Sequence, residues 1–200
     1  MTCCRHRPLL SLAILILLAP LLRADETAVE LIARLGGQVH RDEKAPGKPI
    51  IGVRLRGAEV TDAVLKKLGD LDTLRDLDLG ESKVTDDGLK HLAAFGRLQT
   101  LDLSQTAVTD RGVAHLACLP GLKDVCLRST CVGDEGMWTL SQLRNLRRLD
   151  VAYNAVGDDG LKHLATLKRL SHVNLAATRV TESGLDELKR ALPDCGVCHD

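Results

Sequence analysis

Thr85-Asp86-Asp87-Gly88-Leu89 decides the fold, because relatives of this pentad return along the chain at a fixed step of 24 residues. They begin at Thr61, Thr109, Gly133, Gly157 and Thr181, with no insertion or deletion between them. Self-similarity at a constant step of a few tens of residues marks a stack of small units, each completing its core against the next. The interior of such a stack is thin and regular, and the composition suits it. Of the 200 residues 44% are hydrophobic but only 2% aromatic, so Leu, Val, Ile and Ala must build the core.

Working outward from the pentad, each unit reads L-x-x-L-x-L-x-x-(S/T/N)-x-V-(T/G)-D-x-G-L-x-x-L-x-x-(L/F). The leading apolar positions run Leu74, Leu77, Leu79, then Leu98, Leu101, Leu103, then Leu122, Val125, Leu127, and continue through Leu146, Leu149, Val151 and Leu170, Val173, Leu175. Alternation around the second and third positions predicts a strand with one face buried. Equal connections then lay successive strands side by side and parallel. Ser82, Thr106, Thr130, Asn154 and Thr178 follow at a turn, where a small polar side chain can bond backbone of the neighbouring rung. The pentad itself predicts a helix start, with the Thr oxygen as cap and Asp62, Asp86, Asp110, Asp134, Asp158 and Glu182 at the positive end of the dipole. Gly88, Gly112, Gly136, Gly160 and Gly184 sit just inside the first turn, where Gly is costly, and so imply close packing.

The pattern L-x-x-L-x-L-x-x-T-x-V-T-D-x-G-L resembles the leucine-rich repeat, and its T-D-x-G-L-x-x-L-A tail is similar to the cysteine-containing and GALA-like subclasses found in exported bacterial proteins. The resemblance covers residues 53–192. It implies an α/β right-handed solenoid with a curved parallel sheet on the concave side, short helices on the convex side, and use as a protein-binding module. The expected organisation is a signal peptide over 1–24, an N-terminal cap over 25–51, the repeat array over 52–192 and a C-terminal cap over 193–200. In the first cap Thr27–Leu35 reads as a helix with Val29, Ile32 and Leu35 apolar, and Gln38–His40 and Ile50–Val53 as segments that pair or cover the first rung.

The signal reading rests on Arg5, His6 and Arg7 followed by the apolar run Leu9–Leu22, too short to span a membrane of about 30 Å comfortably. Ala24 offers a cleavage site, although Leu22 suits it poorly, and an uncleaved anchor is the alternative. The protein is thus expected to be exported, periplasmic or secreted. Losing Arg5, Arg7 and Arg23 takes the 27 basic residues to 24 against 27 acidic ones, a net charge near −3 that argues against nucleic acid.

Between the buried Leu positions two columns face outward on the concave side. One holds Arg54, Asp78, Asp102, Cys126, Asp150, Asn174 and Cys198; the other holds Gly52, Asp76, Thr100, Asp124, Arg148, His172 and Gly196. Strands lie about 4.8 Å apart, so Asp76, Asp78, Asp102 and Asp124 gather into an acidic patch. It suits a basic peptide or, less well, a calcium ion, unless L-D-L is merely the solvated default of the repeat. Arg54 and Arg56 at one end, and Arg128, Arg147 and Arg148 further along, flank the patch. Arg148, Asp150 and Tyr153 extend the expected partner-binding face, and Trp138, in a helix column otherwise of Lys66, Lys90, Ala114 and Lys162, is a possible anchor. His91, His115 and His163 share a helix column, but neighbouring helices stand about 10 Å apart, too far for one metal ion.

Five cysteines remain after the signal, Cys118, Cys126, Cys131, Cys195 and Cys198, an odd number that leaves one thiol unpaired. Cys195-Gly-Val-Cys198-His199 spells C-x-x-C-H, the c-type haem attachment pattern, which offers a haem-bearing or redox protein as the alternative function. Against it, Cys195 and Val197 fall where the terminal strand of the array is expected. No nucleophile elbow, phosphate loop or zinc-hydrolase motif occurs. The sequence is therefore read as a non-enzymatic, monomeric binding protein without cofactor, whose partner is a protein or peptide.

Overall fold

The computed structural model describes residues 27–57 and 59–199, so the segment read as an export signal lies outside the described residues. Helix α1 (Ala28–Arg34) starts in a capping box, in which Thr27 accepts from the Glu30 amide and the Glu30 carboxylate answers the Thr27 amide. It buries Leu31 and Ile32, whereas Val29, expected on the apolar face, is 37% exposed. The reason is angular: Val29 lies about 200° around the helix from Leu31, so a face centred on Leu31 and Ile32 turns Val29 outward.

Strand β1 (Gln38–Arg41) pairs antiparallel with β2 (Ile50–Arg54), as the flanking segments predicted. From β2 onward the chain climbs in parallel steps through β3 (Asp76–Asp78), β4 (Thr100–Asp102), β5 (Asp124–Cys126), β6 (Arg148–Asp150), β7 (His172–Asn174) and β8 (Gly196–Cys198). Among the described residues these strands form one eight-stranded sheet in sequential order. The returning segments start with helices α2 (Asp62–Leu68), α3 (Asp86–Leu89), α4 (Asp110–Val113), α5 (Asp134–Leu140), α6 (Asp158–Leu164) and α7 (Glu182–Ala191). After α3 and α4 the chain tightens into 3-10 turns over Lys90–Ala94 and Ala114–Cys118. This is the leucine-rich-repeat solenoid, sheet on the concave side and helices on the convex side.

Because the step is constant, pairing sets like against like. Leu77, Leu101, Val125, Leu149 and Val173 stand opposite one another, each at most 3% exposed, with the flanking Leu columns buried beside them. Pairing continues beyond each short strand: the Leu79, Leu103, Leu127 and Val151 amides donate to the Asp102, Cys126, Asp150 and Asn174 carbonyls at 2.8–3.0 Å. A second ladder runs through the turns, where the Lys83, Cys131, Ala155 and Arg179 amides donate to the Val60, Val108, Val132 and Val156 carbonyls.

The pentad works differently from a simple helix cap. Its Asp reaches forward to the next rung: Asp62 accepts the Thr85 amide (2.8 Å) and hydroxyl (2.7 Å), and Asp86 and Asp158 do the same for Thr109 and Thr181. Asp110 and Asp134 accept the Gly133 and Gly157 amides, both at 2.7 Å. Gly can therefore replace Thr here, since the essential donor is backbone. The Thr hydroxyls cap their own helices unevenly: Thr109 and Thr181 accept from the Arg111 and Gly184 amides at 3.2 and 3.3 Å, while Thr61 and Thr85 make no such bond.

This ladder also explains the Gly column. A Cβ at Gly136 or Gly160 would lie 2.6 Å from the carboxylate of Asp110 or Asp134, and one at Gly88, Gly112 or Gly184 would collide with Asp62, Asp86 or Asp158. The Gly of each rung makes room for the Asp of the rung before. The polar turn column likewise differs from expectation. Thr106, Thr130 and Thr178 donate to carbonyls of their own rung at 2.7 Å; Thr130 also donates to Asn154 Oδ1 at 3.0 Å, and Asn154 reaches backbone of the rung before, accepting from the Val132 amide and donating to the Leu127 carbonyl. From this turn the hydroxyls fold back onto their own carbonyls, whereas the longer Asn amide reaches the backbone of the rung before.

Candidate functional site

The strand register reproduces both outward columns. Gly52, Asp76, Thr100, Asp124, Arg148, His172 and Gly196 stand in one row, and Arg54, Asp78, Asp102, Cys126, Asp150, Asn174 and Cys198 in the other. What the columns do not convey is how their charges are used. Asp78 accepts the Gly80 amide, Asp102 the Ser104 amide and Asp150 the Ala152 amide, at 2.8–3.0 Å, so this carboxylate column closes the turn that follows each strand. Asn174 plays the same part for Ala176. The remaining oxygens of Asp78 and Asp102 meet arginine, and that of Asp150 takes the Asn174 amide. Arg54 lies 3.3 Å from Asp78, and Arg56 reaches Asp78, Asp102 and Glu81 at 3.0–3.3 Å. Arg148 takes Asp124 in a two-pronged pair at 2.7 and 2.8 Å.

The acidic patch expected to receive a basic peptide is thus largely neutralised from within. Asp78, Asp102 and Asp124 are committed; Asp76 is the member exposed and, among the described residues, without an ion pair. The calcium alternative fares no better, since among the described residues no group of three or more His, Cys, Asp or Glu is placed to hold a metal ion. Glu81 and Asp78 raise the pKa of Arg56, and Asp124 that of Arg148, through hydrogen bonds and charge.

Cys126 occupies an Asp position of the column, between Asp102 and Asp150. Burial, reinforced by Asp102 and Asp150, pushes this thiol up to about 11, so it is a poor nucleophile. The floor around it, from Leu101 and Val125 across Cys126 to Val173 and Cys198, lies under a shallow depression of about 380 Å³. At its edge Tyr153 is 54% exposed and Arg128 lies over its ring, 4.5 Å from the centroid. Both residues were visible in the sequence, but not their pairing. The signal was a spacing of one period plus one, the same separation that joins Arg56 to Glu81.

Tyr153 also belongs to a column the sequence reading missed. Glu81, Gln105, Ser129, Tyr153 and Ala177 all have φ between 52° and 60°, in the left-handed region, and Gly57 precedes them at 106°. The chain needs that conformation to leave each strand, and the varied side chains hide it.

Trp138, on the convex side in α5, is 58% exposed, too open to be cover for a neighbouring helix. It borders a depression of about 490 Å³ left by Ala114 and Thr139, which replace larger Lys and His of their columns, and bounded by Arg111, Glu135 and His163. It lies on the opposite side of the sheet from Tyr153, so the two aromatics serve no common site.

The terminal C-x-x-C-H does not suit haem attachment. Gly196–Cys198 is a strand paired to β7; Cys195 packs partly buried against the core while Cys198 is exposed in the concave column. Strand alternation puts the two thiols on opposite faces, and joining both to one macrocycle would pull β8 out of the sheet. All five described cysteines are free thiols, and Cys126 and Cys198, three rungs apart, are beyond disulfide reach.

Comparisons with known proteins agree with this geometry. A family described as "Leucine Rich repeat" matches residues 72–93, 98–117 and 142–165. No curated protein matches the chain in sequence. Among solved structures, the leucine-rich-repeat protein LIC12759 of Leptospira interrogans superposes with a TM-score of 0.52 at 21% identity, over 66% of this chain and 33% of that one. The chain thus spans about a third of that protein's length. Internalin C2 of Listeria monocytogenes superposes with a TM-score of 0.58 at 20% identity, over 85% of this chain and 80% of that one. At such identities the likeness is one of fold.

Proposed function

We propose that this leucine-rich-repeat solenoid is a non-enzymatic module that captures a protein or peptide partner on its concave sheet. The observation that carries this reading is Tyr153, the exposed aromatic at the edge of the sheet, held by Arg128. A Tyr immobilised before binding loses little freedom on contact, and Tyr and Arg dominate the energetics of interfaces. Arg148 and Asp76 are exposed beside the floor and join the contact surface. Asp78, Asp102, Asp124 and Asp150 shape that floor by holding turns and arginines.

A continuous sheet one layer deep gives breadth without an enclosed pocket, which suits recognition better than catalysis. The basic start and apolar run of residues 1–24 support export as the setting, with the mature chain a monomer. Among the described residues no helix is long and apolar enough to cross a membrane. The test is affinity capture from cell-envelope extract, read by mass spectrometry, with wild type beside Tyr153→Asn and Trp138→Ala. Asn tolerates the left-handed backbone at 153. A partner lost with Tyr153→Asn and kept with Trp138→Ala supports the concave reading; the reverse pattern moves the site to the helices.

A further inference from the structure

Resting on that reading, we infer that the partner presents an acidic peptide segment to the C-terminal half of the concave face, over the floor bordered by Arg128, Tyr153 and His172. The two halves of the face differ in which charges are already satisfied. Toward the N-terminus Asp78 and Asp102 are held by Arg54, Arg56 and the Gly80 and Ser104 amides, so a basic ligand would have to displace bonds already made. Toward the C-terminus the balance reverses. Arg148 is matched by Asp124, and Asp150 is occupied by the Ala152 amide and the Asn174 side chain, each at 2.9 Å. Among the described residues Arg128 has no carboxylate within ion-pair distance, and neither does Arg147 at the strand entry. Lys123, one rung below Arg147, bonds the neutral Gln99.

The stack on Tyr153 makes Arg128 more than a stray charge. Held over the ring at 4.5 Å, the guanidinium still has an N–H edge to offer a partner. A carboxylate is the group that fits that edge with two parallel hydrogen bonds. His172, exposed on β7 with Nδ1 3.0 Å from the Ser171 hydroxyl, borders the far side of the floor. Between the charged borders the depression presents the small side chains of Thr100, Cys126 and Cys198, which leave room for short apolar groups. A segment of alternating acidic and small apolar residues matches both.

The experiment measures fluorescence anisotropy of the full protein with short labelled peptides of equal length, one alternating Glu and Ala, the other Lys and Ala. The Glu peptide is expected to bind at least about tenfold tighter than the Lys peptide, with the preference shrinking as salt shortens the Debye length from about 10 Å at 0.1 M to about 3 Å at 1 M. Arg128→Glu with Arg147→Glu is expected to weaken the Glu peptide at least about tenfold, with the urea melting curve unchanged as a check on folding. Arg128→Lys, which keeps the charge and loses the flat two-pronged edge, should fall between. No binding of the Glu peptide by wild type, or binding undiminished in the double variant, overturns the acidic inference. Tighter binding of the Lys peptide that Asp76→Lys abolishes overturns it too, while leaving the concave reading standing. Capture of the extract partner undisturbed by any concave substitution overturns both together.

Discussion

The inner turn edge and the concave face of this solenoid carry the same repeat, yet they use it in opposite ways. Along the turn edge Asp62, Asp86, Asp110, Asp134 and Asp158 do one job, each accepting an amide at the head of the next rung, and the Gly column makes room for each. On the concave face a single column passes from Asp78 to Asp102 to Cys126 to Asp150, and its members meet different partners. The difference is one of donors. The turn Asp always faces backbone, which is identical at every rung; the concave Asp faces backbone with one oxygen and a variable side chain with the other. Repetition therefore marks structure, and function is to be sought where neighbours along a column cease to match.

The largest break expected is at Asp110, which accepts both the Gly133 and Gly136 amides. Asp110→Ala leaves two donors without their charged acceptor, and a loss of about 2–4 kcal/mol in urea unfolding is expected. The same ladder fixes the sign of an acid effect. The Thr181 amide and hydroxyl lower the Asp158 pKa below its ordinary 3.8, so its contribution is complete above that value and is lost as pH falls through the lower folded value. Asp158→Asn should flatten that part of the stability curve at low pH, while wild type keeps its slope.

Next comes Gly112→Ala. In an open helix this change stabilises by about 1 kcal/mol, but here the new methyl meets Asp86, and a net loss of about 1–3 kcal/mol is expected. Combining it with Asp86→Ala should remove most of that penalty; a penalty unchanged in the double variant would mean that the Gly serves another contact.

The concave counterpart is Arg56→Ala. Its three solvent-accessible ion pairs should be worth no more than about 1 kcal/mol in all, so denaturation would barely move. Affinity for a Lys-rich peptide should instead appear, as Asp78, Asp102 and Glu81 are unmasked. A large stability loss without new binding would place this cluster with the turn ladder. The smallest effect expected is a gain of about 0.5–1 kcal/mol for Ala177→Gly, read as a higher urea midpoint, because residue 177 holds a φ of 52°.

The architecture was legible in the sequence because its cause is periodic. A constant step sets Leu opposite Leu, and both concave columns follow from counting alone. Finer roles were not, because they depend on reach across a rung. The Thr and Asp of the pentad read as caps of their own helix, and only the fold shows the carboxylate one residue short of a full period from its amide. Val29 read as buried until Leu31 and Ile32 took the docking face.

The sequence by itself determined the solenoid, the order and register of its strands and which side chains face out, since hydrophobic spacing and equal loop length leave no other way to bury the Leu columns. Only the tertiary structure decided which of those outward charges remain available. Asp78, Asp102 and Asp124 are acidic by composition and spent by contact, while Arg128, stacked on Tyr153, is held ready. Ion pairing falls steeply with distance, and distances between rungs are set by the fold.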